Sequence, residues 1–300
     1  MQNESKRRLF RSRIAIGLLG FMLCTPSLSL GWGAGGHMMV ASIAFDRLNP
    51  QAKAQAFALL ARPINPADVT KKSRDFVRAS IWADDVKRLA GFEFSGDLHF
   101  IDKPFSTDTT PLPTDLPKPE NIVKALQDYV NILKTSTDKD EQAQALRFII
   151  HFVGDIHQPL HGATRVDRNR REGDEGGNLL KIKVGGSKVK LHSYWDGGIG
   201  SFPKTRPGFV PPPLSEIPPA VAKALAGNPD TDPELRLDDP FNYDEWANES
   251  FELAKTVAYK GMRNGVTPSA AYKSKAVKVA RQRVAWGGYR LAALLNAIWP

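Results

Sequence analysis

The chain of 300 residues contains a single cysteine, Cys24, but six histidines. Cys24 lies in an N-terminal segment that we expect to be removed, so the remaining protein has no disulfide bond and no thiolate ligand for a metal. Any bound metal would therefore take nitrogen and oxygen ligands from histidine and aspartate. Internal repeats are also lacking, which excludes a solenoid.

A run long enough to span a membrane is missing from the N-terminal region. Five basic residues precede the apolar run Ile14 to Cys24, which is shorter than the ~20 residues that a spanning helix needs. Small residues stand at the −3 and −1 positions of a cleavage site after Gly31. Residues 1–31 are thus predicted to be a signal peptide, and cleavage would leave Trp32 at the N-terminus of a periplasmic or secreted protein. An uncleaved anchor is the alternative.

Strong charge of one sign is lacking as well. The formal net charge is +9, and removal of the five basic residues and one acidic residue of segment 1–31 leaves +5. This mild balance excludes a highly basic nucleic-acid-binding tail. Residues 32–300 are long enough to form one domain with a substantial core.

Apolar residues recur at helical spacing through most of the chain, which predicts an all-α fold. The predicted helices cover residues 37–60, with a second helix starting at Pro50, and residues 71–90, 118–135, 139–158, 242–263 and 268–298. Residues 179–192 differ, because apolar residues alternate with lysines around Gly185-Gly186, and they predict a small β-hairpin. The proline-rich region 201–240 predicts a long surface loop with a short helix near 216–226.

The stretch HFVGDIHQPLH, residues 151–161, has the spacing of a metal site. His151 and Asp155 are four residues apart, so on a helix both side chains project from one face. Pro159 should end this helix and turn His161 in a new direction. The alternative is a core helix in which the side chains of His151 and Asp155 form a hydrogen bond with each other and bind no metal.

Further candidate ligands lie elsewhere in the chain, and each is a weak signal by itself. They are His37, Asp84 in SIWADDVK, His99 in DLHFID, and His192 with Asp196 in LHSYWDGG. The last pair again has a spacing of four residues. His157 would point away from His151 on a continued helix, and we expect it to be structural.

Taken together, six stretches resemble the zinc-dependent, single-strand-specific S1/P1 nucleases of moulds and plants. They are Trp32-x4-His37, WAD at 82–84, LHFID at 98–102, HFVGD-x5-H at 151–161, GGN at 176–178 and LHSYWD at 191–196. The resemblance implies a single all-α domain of helices packed around a trinuclear zinc site. It also implies hydrolysis of single-stranded DNA or RNA to 5′-phosphate products, with 3′-nucleotides as further candidate substrates.

The resemblance assigns nine residues to three zinc ions. Asp84, His99, His151 and Asp155 would hold the first zinc. The second would share Asp155 and take His37 with the amino nitrogen and carbonyl oxygen of Trp32. The third would be held by His161, His192 and Asp196. Bound zinc would attract a phosphodiester and supply a nucleophile by lowering the pKa of bound water toward ~7.

Catalytic roles follow from the resemblance for three side chains. Asp84 would orient the attacking water, and Lys87, on the same helical face, would neutralise the phosphate. Asn178 of GGN matches the phosphate-contacting asparagine of the family. A solvated lysine and an asparagine that only starts the hairpin are the alternatives.

Phe100 and Asp102 are expected to form the base pocket. If LHFID is extended, both side chains project to one side and His99 to the other. Phe100 would stack on a base, and Asp102 would accept its amino and imino hydrogens, which only an unpaired base offers. Phe100 could instead belong to the core. Glu175 and the charged loop 165–177 depart from the family pattern and put base preference in doubt.

Three other functions fit parts of the pattern. A zinc phospholipase C of the same superfamily would share Trp32 and the metal ligands but would not need Phe100 and Asp102. A non-enzymatic zinc-binding protein would gain nothing from Lys87 and Asn178 beside the ligands. A plain helical binding protein would leave the histidine spacing unexplained. We expect a monomer whose partner is single-stranded nucleic acid or a nucleotide, without stable membrane association after signal cleavage.

Overall fold

The computed structural model describes residues 32–300, and the predicted signal peptide lies outside these residues. Eleven α-helices are formed within the described range: α1 Ala34–Arg47, α2 Pro50–Leu60, α3 Ala67–Lys72, α4 Phe76–Ala79, α5 Trp82–Val86, α6 Ile122–Thr135, α7 Lys139–Ile156, α8 Leu191–Asp196, α9 Ile217–Leu225, α10 Tyr243–Leu253 and α11 Ala270–Ile298. A π-helical turn, Ala254–Ala258, continues α10. The fold is mostly helical, as the periodicity predicts.

Short 3₁₀ helices and four strands complete the described structure. The 3₁₀ helices are Glu93–His99, Pro159–His161, Gly198–Gly200, Pro207–Phe209, Leu214–Glu216 and Pro233–Leu235. Strands β3 (Lys181–Val184) and β4 (Ser187–Lys190) form the predicted antiparallel hairpin. Strands β1 (Lys103–Ser106) and β2 (Ala163–Val166) pair in parallel, which the sequence pattern does not predict.

Helix α7 lies at the centre of the molecule and carries the HFVGD segment. Asp138 caps its N-terminus by accepting a hydrogen bond from the backbone N–H of Asp140 at 2.7 Å. Every residue from Ala145 to Ile156 is buried, because helices α1, α2, α5, α6, α10 and α11 pack around it. The helix ends at Ile156, and Pro159 starts a 3₁₀ turn, so the predicted effect of Pro159 is confirmed.

The core around α7 contains a cluster of aromatic rings. The rings of Phe148 and Phe152 stack with centroids 5.2 Å apart, and Trp82 of α5 meets Phe148 edge-on at 5.2 Å. Burial of such a side chain contributes about 1.5–3 kcal/mol. This packing holds α5 against α7, and it therefore fixes the position of Asp84 relative to His151.

The prediction of one helix over residues 71–90 is wrong. The chain forms α3, α4 and α5 instead, with a non-helical Ser73 at φ −109°, ψ 29°. Asp75 caps α4 by accepting a hydrogen bond from the N–H of Arg78 at 3.0 Å. Short polar side chains offer the backbone hydrogen bonds that compete with a continuous helix, and here they restart the helix.

No helix within residues 32–300 has both the length and the apolar character needed to cross a lipid bilayer.

Candidate metal centre

Histidine and aspartate side chains from six elements converge at the C-terminal half of α7. We divide them into two groups, one around Asp155 and one around Asp196. The Asp155 group comprises His37, Asp84, His99, His151 and Asp155, and the Asp196 group comprises His161, His192 and Asp196. The structure therefore brings together all eight residues whose side chains are expected to bind zinc.

The Asp155 group is built on one face of α7. His151 Nε2 lies 2.9 Å from Asp155 Oδ2, one helical turn away. His99, at the end of a 3₁₀ helix, places Nδ1 2.9 Å from the same oxygen and 3.1 Å from His151 Nε2. Asp84 of α5 completes this side, with Oδ1 3.8 Å from His151 Nε2 and 3.9 Å from His99 Nδ1. Four ligand atoms thus surround one point.

The other oxygen of Asp155 faces a different set of side chains. His37 of α1 places Nε2 3.3 Å from Asp155 Oδ1, and His161 places Nδ1 3.6 Å from it. The ring of His37 also stacks on that of His151, with centroids 3.9 Å apart. Each oxygen of Asp155 therefore faces its own set of candidate ligands, which is the arrangement that a bridging aspartate would need.

The Asp196 group lies on the short helix α8 and on the turn after α7. His161 Nε2 and His192 Nε2 are 3.1 Å apart, and Asp196 Oδ1 lies 3.5 Å from His192 Nε2. His192 and Asp196 share one face of α8, as their spacing predicts. The turn Pro159–His161 directs His161 toward them.

Backbone carbonyls orient three of the histidines. The Nδ1–H groups of His151, His161 and His192 donate to the carbonyl oxygens of Ser80 at 2.6 Å, His99 at 2.6 Å and Gly176 at 2.8 Å. A carbonyl only accepts, so Nδ1 carries the hydrogen and Nε2 keeps its lone pair toward the centre. This pattern is typical of metal-binding histidines.

Electrostatics keep two of the histidines neutral and two of the aspartates ionised. Burial lowers the pKa of His37 and brings that of His99 to about 3. Burial alone would raise the pKa values of Asp84 and Asp155. Positive charge outweighs burial, chiefly that of Lys87 beside Asp84 and, when its ring is protonated, that of His151 beside Asp155, and both pKa values fall below the usual range. These are the protonation states that bind metal.

The residues present fit zinc. Nitrogen and oxygen ligands at the usual ~2.0–2.1 Å from a tetrahedral zinc are ~3.3 Å apart, close to the observed separations. Within the described structure, Asp155 Oδ1 is buried without a hydrogen-bond donor, and neither ring nitrogen of His37 has a hydrogen-bond partner. A buried carboxylate oxygen without a donor is costly, and a cation beside it would remove that cost.

Trp32, the ninth expected ligand, is fully buried at the start of the described chain. Its ring packs on Phe202 with centroids 5.4 Å apart. The next residue, Gly33, donates its backbone N–H to the carbonyl oxygen of Asp196 at 2.9 Å. The backbone of Trp32 is therefore held close to the metal centre by its neighbour.

Lys87 is buried and immediately follows α5. Its ammonium donates to Asp84 Oδ1 at 2.6 Å, so the alternative of a solvated lysine is excluded. The same carboxylate faces His99 and His151. Lys87 therefore places a positive charge at the edge of the Asp155 group.

Asn178 is buried beside the Asp196 group. Its Nδ2 donates to the carbonyl oxygen of Glu175 at 3.0 Å. Gly176 and Gly177, at φ 60° and 83°, form the turn before it, and a Cβ at Gly176 would lie 2.5 Å from the carbonyl oxygen of Leu160. Glycine is therefore required here, and the carbonyl of Gly176 is free to hold His192.

Phe100 and Asp102 lie at the start of an extended segment that begins in the middle of LHFID, whereas the prediction made all five residues extended. Residues Glu93–His99 form a 3₁₀ helix, and the backbone becomes extended at Phe100, at φ −148°, ψ 171°. His99 is buried in the centre, whereas Phe100 is partly buried and lies outside the core cluster. The alternative that Phe100 is a core residue is therefore not supported.

Asp102 faces two other carboxylates, those of Asp174 and Glu175. Burial, reinforced by these two negative charges, raises the pKa of Asp102 to about 7. Glu175 itself is exposed, at φ 53°. Glu175, which departs from the family pattern, thus raises the pKa of Asp102, the carboxylate expected to recognise the base.

His157 lies away from the metal centre, in a buried network of charged residues. Its Nδ1 donates to the carbonyl oxygen of Val153 at 2.7 Å, and Nε2 accepts from Arg290 at 3.0 Å. Glu249 accepts from Arg290 at 2.6 Å and 2.7 Å and also binds Arg283. Arg283 donates to the carbonyl oxygen of His157 at 3.1 Å, so this network holds the end of α7.

Two residues that support the centre were missed by sequence reasoning. Gln158 donates from Nε2 to Asp196 Oδ1 at 2.8 Å, and its Oε1 accepts from the N–H of Leu160 at 2.6 Å. A Cβ at Gly154 would lie 2.7 Å from His37 Nδ1, so Gly154 makes room for that ring. Gln158 stands inside HFVGDIHQPLH, but nothing local identifies its partner.

Comparison with known proteins agrees with this geometry. The family model described as S1/P1 Nuclease matches residues 32–300. Nuclease S1 of Aspergillus oryzae is 30% identical over 292 residues, covering 92% of this chain and 94% of that protein. Endonuclease 3 of Arabidopsis thaliana is 26% identical over 279 residues, covering 90% of each chain. Nuclease P1 of Penicillium citrinum is 29% identical over 169 residues, covering 55% of this chain and 57% of that protein.

Proposed function

The chain belongs to the S1/P1 nuclease family, and we propose that its two ligand groups form a trinuclear zinc centre that cleaves single-stranded DNA or RNA. The observation that carries this proposal is the arrangement around Asp155, whose two oxygens face two different sets of buried ligands. The assignment of the individual ligands, including Trp32, and the count of three zinc ions are part of the proposal.

Zinc bound at this centre would supply positive charge and lower the pKa of bound water toward ~7. In the proposed hydrolysis the oxygen of water bonds to phosphorus and the bond from phosphorus to the 3′ oxygen breaks. The 3′ oxygen takes up a proton, which leaves a 3′-hydroxyl and a 5′-phosphate. Asp84 would orient the attacking water by accepting its hydrogen bond.

Lys87 and Asn178 would bind the scissile phosphate from opposite sides of the centre. The ammonium of Lys87 is held by Asp84, so it is oriented before substrate arrives. The Asn178 carboxamide follows the glycine turn that also supports His192. Fixed donors of this kind stabilise the charge that develops on phosphate oxygens in the transition state.

Phe100 and Asp102 would bind the base of the nucleotide beside the scissile phosphate. A partly buried aromatic ring outside the core can stack on any unpaired base. Asp102 would then bind the edge of that base through hydrogen bonds. A paired base exposes neither its face nor this edge, which accounts for the preference for single strands.

The finer expectations are also proposals. We infer that residues 1–31 direct export to the periplasm or the medium and are then removed, and that the mature protein is a monomer. Cleavage of 3′-nucleotides would follow if a single nucleotide can fill the base pocket and place its 3′-phosphate at the centre.

A panel of substrates tests the function. The purified mature protein is incubated with single-stranded DNA, single-stranded RNA, duplex DNA, 3′-AMP and phosphatidylcholine, with and without a chelator. We expect cleavage of single strands to 5′-phosphates and loss of this activity on chelation. Hydrolysis of phosphatidylcholine alone would support the phospholipase alternative. Full nuclease activity in protein shown to be zinc-free by elemental analysis would refute the metal assignment.

A further inference from the structure

A cavity of about 470 Å³ lies outside the proposed catalytic residues. Its lining includes three basic side chains, Arg165, Lys255 and Lys260, and two hydroxyl side chains, Thr107 and Thr256. Cationic and hydroxyl groups around one open cavity are the donors that bind phosphate oxygens. We call this cavity the basic pocket.

Two residues that line the basic pocket, Phe105 and Tyr259, link it to the proposed base site. Phe105 lines the pocket from β1 and lies five positions after Phe100 in the sequence, a distance of at most ~17 Å along an extended chain. Tyr259, which also lines the pocket, donates its hydroxyl to Asp174 Oδ1 at 2.6 Å. Asp174 is one of the two carboxylates that act on Asp102. A strand bound at Phe100 could therefore reach the pocket within a few nucleotides.

Two of the basic side chains are held in place. Arg165 donates from Nη1 to the carbonyl oxygen of Met262 at 3.0 Å, and its guanidinium lies 5.0 Å from the centre of the Tyr259 ring. Lys255 lies 4.7 Å from the centre of the Phe251 ring. Side chains that are already ordered lose little entropy when they bind a ligand.

The charge of the pocket remains positive after its ion pairs are counted. Lys255 pairs with Glu252 at 2.9 Å. Lys260 is exposed, and Arg165 has the carboxylate of Asp174 as its charged neighbour. The pocket therefore suits an anion.

The backbone beside the pocket is unusual. Lys255 and Thr256 belong to the π-helical turn Ala254–Ala258, and the chain then turns at Gly261, at φ 73°. Single π-helical turns are rare in proteins, and those that occur are often found at functional sites. Here the turn places a cationic and a hydroxyl side chain on the wall of one cavity.

We propose that the basic pocket binds a backbone phosphate of the same substrate strand, a few nucleotides from the scissile bond. This inference rests on the proposed nuclease function and extends it, because it makes the enzyme favour polymers over short fragments. Phosphate contacts of this kind add affinity without sequence preference.

The test compares a single-stranded 20-nucleotide DNA with a dinucleotide, whose single phosphate is the scissile one and leaves none for the pocket. The double variant Lys255→Gln/Lys260→Gln removes two charges from the pocket. The matched control Lys223→Gln/Lys278→Gln removes two charges from exposed lysines that do not line it. KM and kcat are measured for both substrates over a range of salt concentrations.

We expect the pocket variant to raise KM for the long strand roughly tenfold at low salt and to weaken its salt dependence. Each lost phosphate contact should lower the slope of log KM against log salt by about 0.7 for a single strand. In the pocket variant, KM for the dinucleotide should change less than about twofold. In the control variant, KM for the long strand and KM for the dinucleotide should both change less than about twofold. Equal increases for both substrates, an equal effect of the control variant, or no effect at all would overturn the proposal.

Failure of the nuclease assignment would be seen separately. If the wild-type protein cleaves neither substrate, the proposed function is wrong, and the long strand stays intact. Fluorescence anisotropy of that labelled strand then compares the binding of the wild-type protein with the two variants. Equal binding by all three would refute the pocket as well.

Discussion

Gly154 is the residue on α7 whose missing side chain admits His37 to the centre. A Cβ there would lie 2.7 Å from His37 Nδ1. We expect Gly154→Ala to displace His37 and to lower zinc content and activity, by about 10- to 100-fold if the ring no longer binds. The melting temperature should change little, because alanine favours helix by about 1 kcal/mol and offsets part of the clash.

Gly287 provides the matched control for that substitution. It also lies in a helix, α11, but a Cβ there would meet its nearest atom, His157 Cγ, at 3.4 Å, an ordinary contact. Gly287→Ala should therefore keep its zinc and its activity. If Gly154→Ala also binds the full complement of zinc by elemental analysis, His37 is not a ligand.

The proposed role of Phe100 depends on a single aromatic ring. Phe100→Ala should raise KM for single-stranded substrate by removing stacking of about 1–3 kcal/mol per base, with zinc content unchanged. Kinetics and elemental analysis of the same preparation measure both. If zinc is lost along with activity, the ring is structural, and the base site must lie elsewhere.

Asp102 should make base preference depend on pH. Its pKa is raised to about 7, so the side chain is protonated below pH 7 and ionised above it. The protonated form can donate to N1 of adenine and accept from its amino group. The ionised form accepts from both N1–H and the amino group of guanine. The ratio of kcat/KM for a guanine substrate to that for an adenine substrate should therefore rise as pH increases through 7.

The ratio of the two kcat/KM values is informative because protonation of the zinc ligands changes both values by the same factor, which cancels in the ratio. Asp102→Asn cannot ionise and should give a ratio that is independent of pH. Glu175→Gln should move the midpoint to lower pH, because it removes one of the negative charges that raise the pKa of Asp102. A wild-type ratio that stays flat from pH 5 to 9 would show that Asp102 does not bind the base.

At the scale of elements, the buried network of Glu249, Arg283 and Arg290 joins α10, α11 and the end of α7. Arg283 and Arg290 are almost fully buried, at 0% and 1% exposure, so their charges depend on Glu249. We expect Glu249→Ala to lower the free energy of unfolding by about 3–5 kcal/mol, because two buried guanidinium groups lose their counter-charge. Denaturant unfolding measures this loss.

Glu252→Ala is the control on the same helix. Glu252 is exposed and pairs with Lys255, so its loss should cost no more than about 0.5 kcal/mol. The two substitutions remove the same charge at neighbouring positions, and only burial differs. If both destabilise the protein equally, the network does not hold these helices together.

At the scale of the whole molecule, removal of the signal peptide should also complete the metal centre. The α-amine and carbonyl oxygen of one residue can chelate a zinc ion, but an amide nitrogen within the chain has no lone pair available. Trp32 is buried, and its neighbour Gly33 is bonded to Asp196. A protein that begins with a retained Met before Trp32 should therefore fold, bind the second zinc weakly and lose most of its activity.

N-terminal sequencing and elemental analysis check this prediction together. The exported protein should begin at Trp32 and contain three zinc ions per chain. The extended protein should show the same circular dichroism with less zinc. Normal turnover and full zinc content in the extended protein would exclude Trp32 as a ligand.

Much of the helical structure could be predicted from the sequence, because periodicity and capping act within a few residues. The limits of α1, α2, α7 and α11 follow from apolar spacing and from helix-starting or helix-ending prolines such as Pro50 and Pro159. The helix predicted over 242–263 instead ends at Leu253 and continues as a π-helical turn to Ala258. The prediction of one helix over residues 71–90 is wrong, because the non-helical Ser73 and the Asp75 cap of α4 prevail over weak periodicity. The pairing of β1 with β2 also escaped prediction, since some 60 residues separate the partners, Lys103 and Ala163.

The kinds of ligand available and their local geometry follow from the amino-acid sequence alone. The only cysteine lies in segment 1–31, so the described chain can offer only nitrogen and oxygen ligands, and the four-residue spacings place His151 with Asp155 and His192 with Asp196 on shared helix faces. Helical spacing has a fixed geometry, so these pairs need no tertiary information.

The way in which these pairs combine depends on tertiary packing. Packing places His99 and Asp84 against one oxygen of Asp155 and His37 against the other. It also brings Gln158 into contact with Asp196, which is 38 positions later in the sequence. The basic pocket is likewise formed by side chains from distant parts of the chain. Such contacts depend on the packing of many side chains around α7, and they leave no local pattern in the sequence.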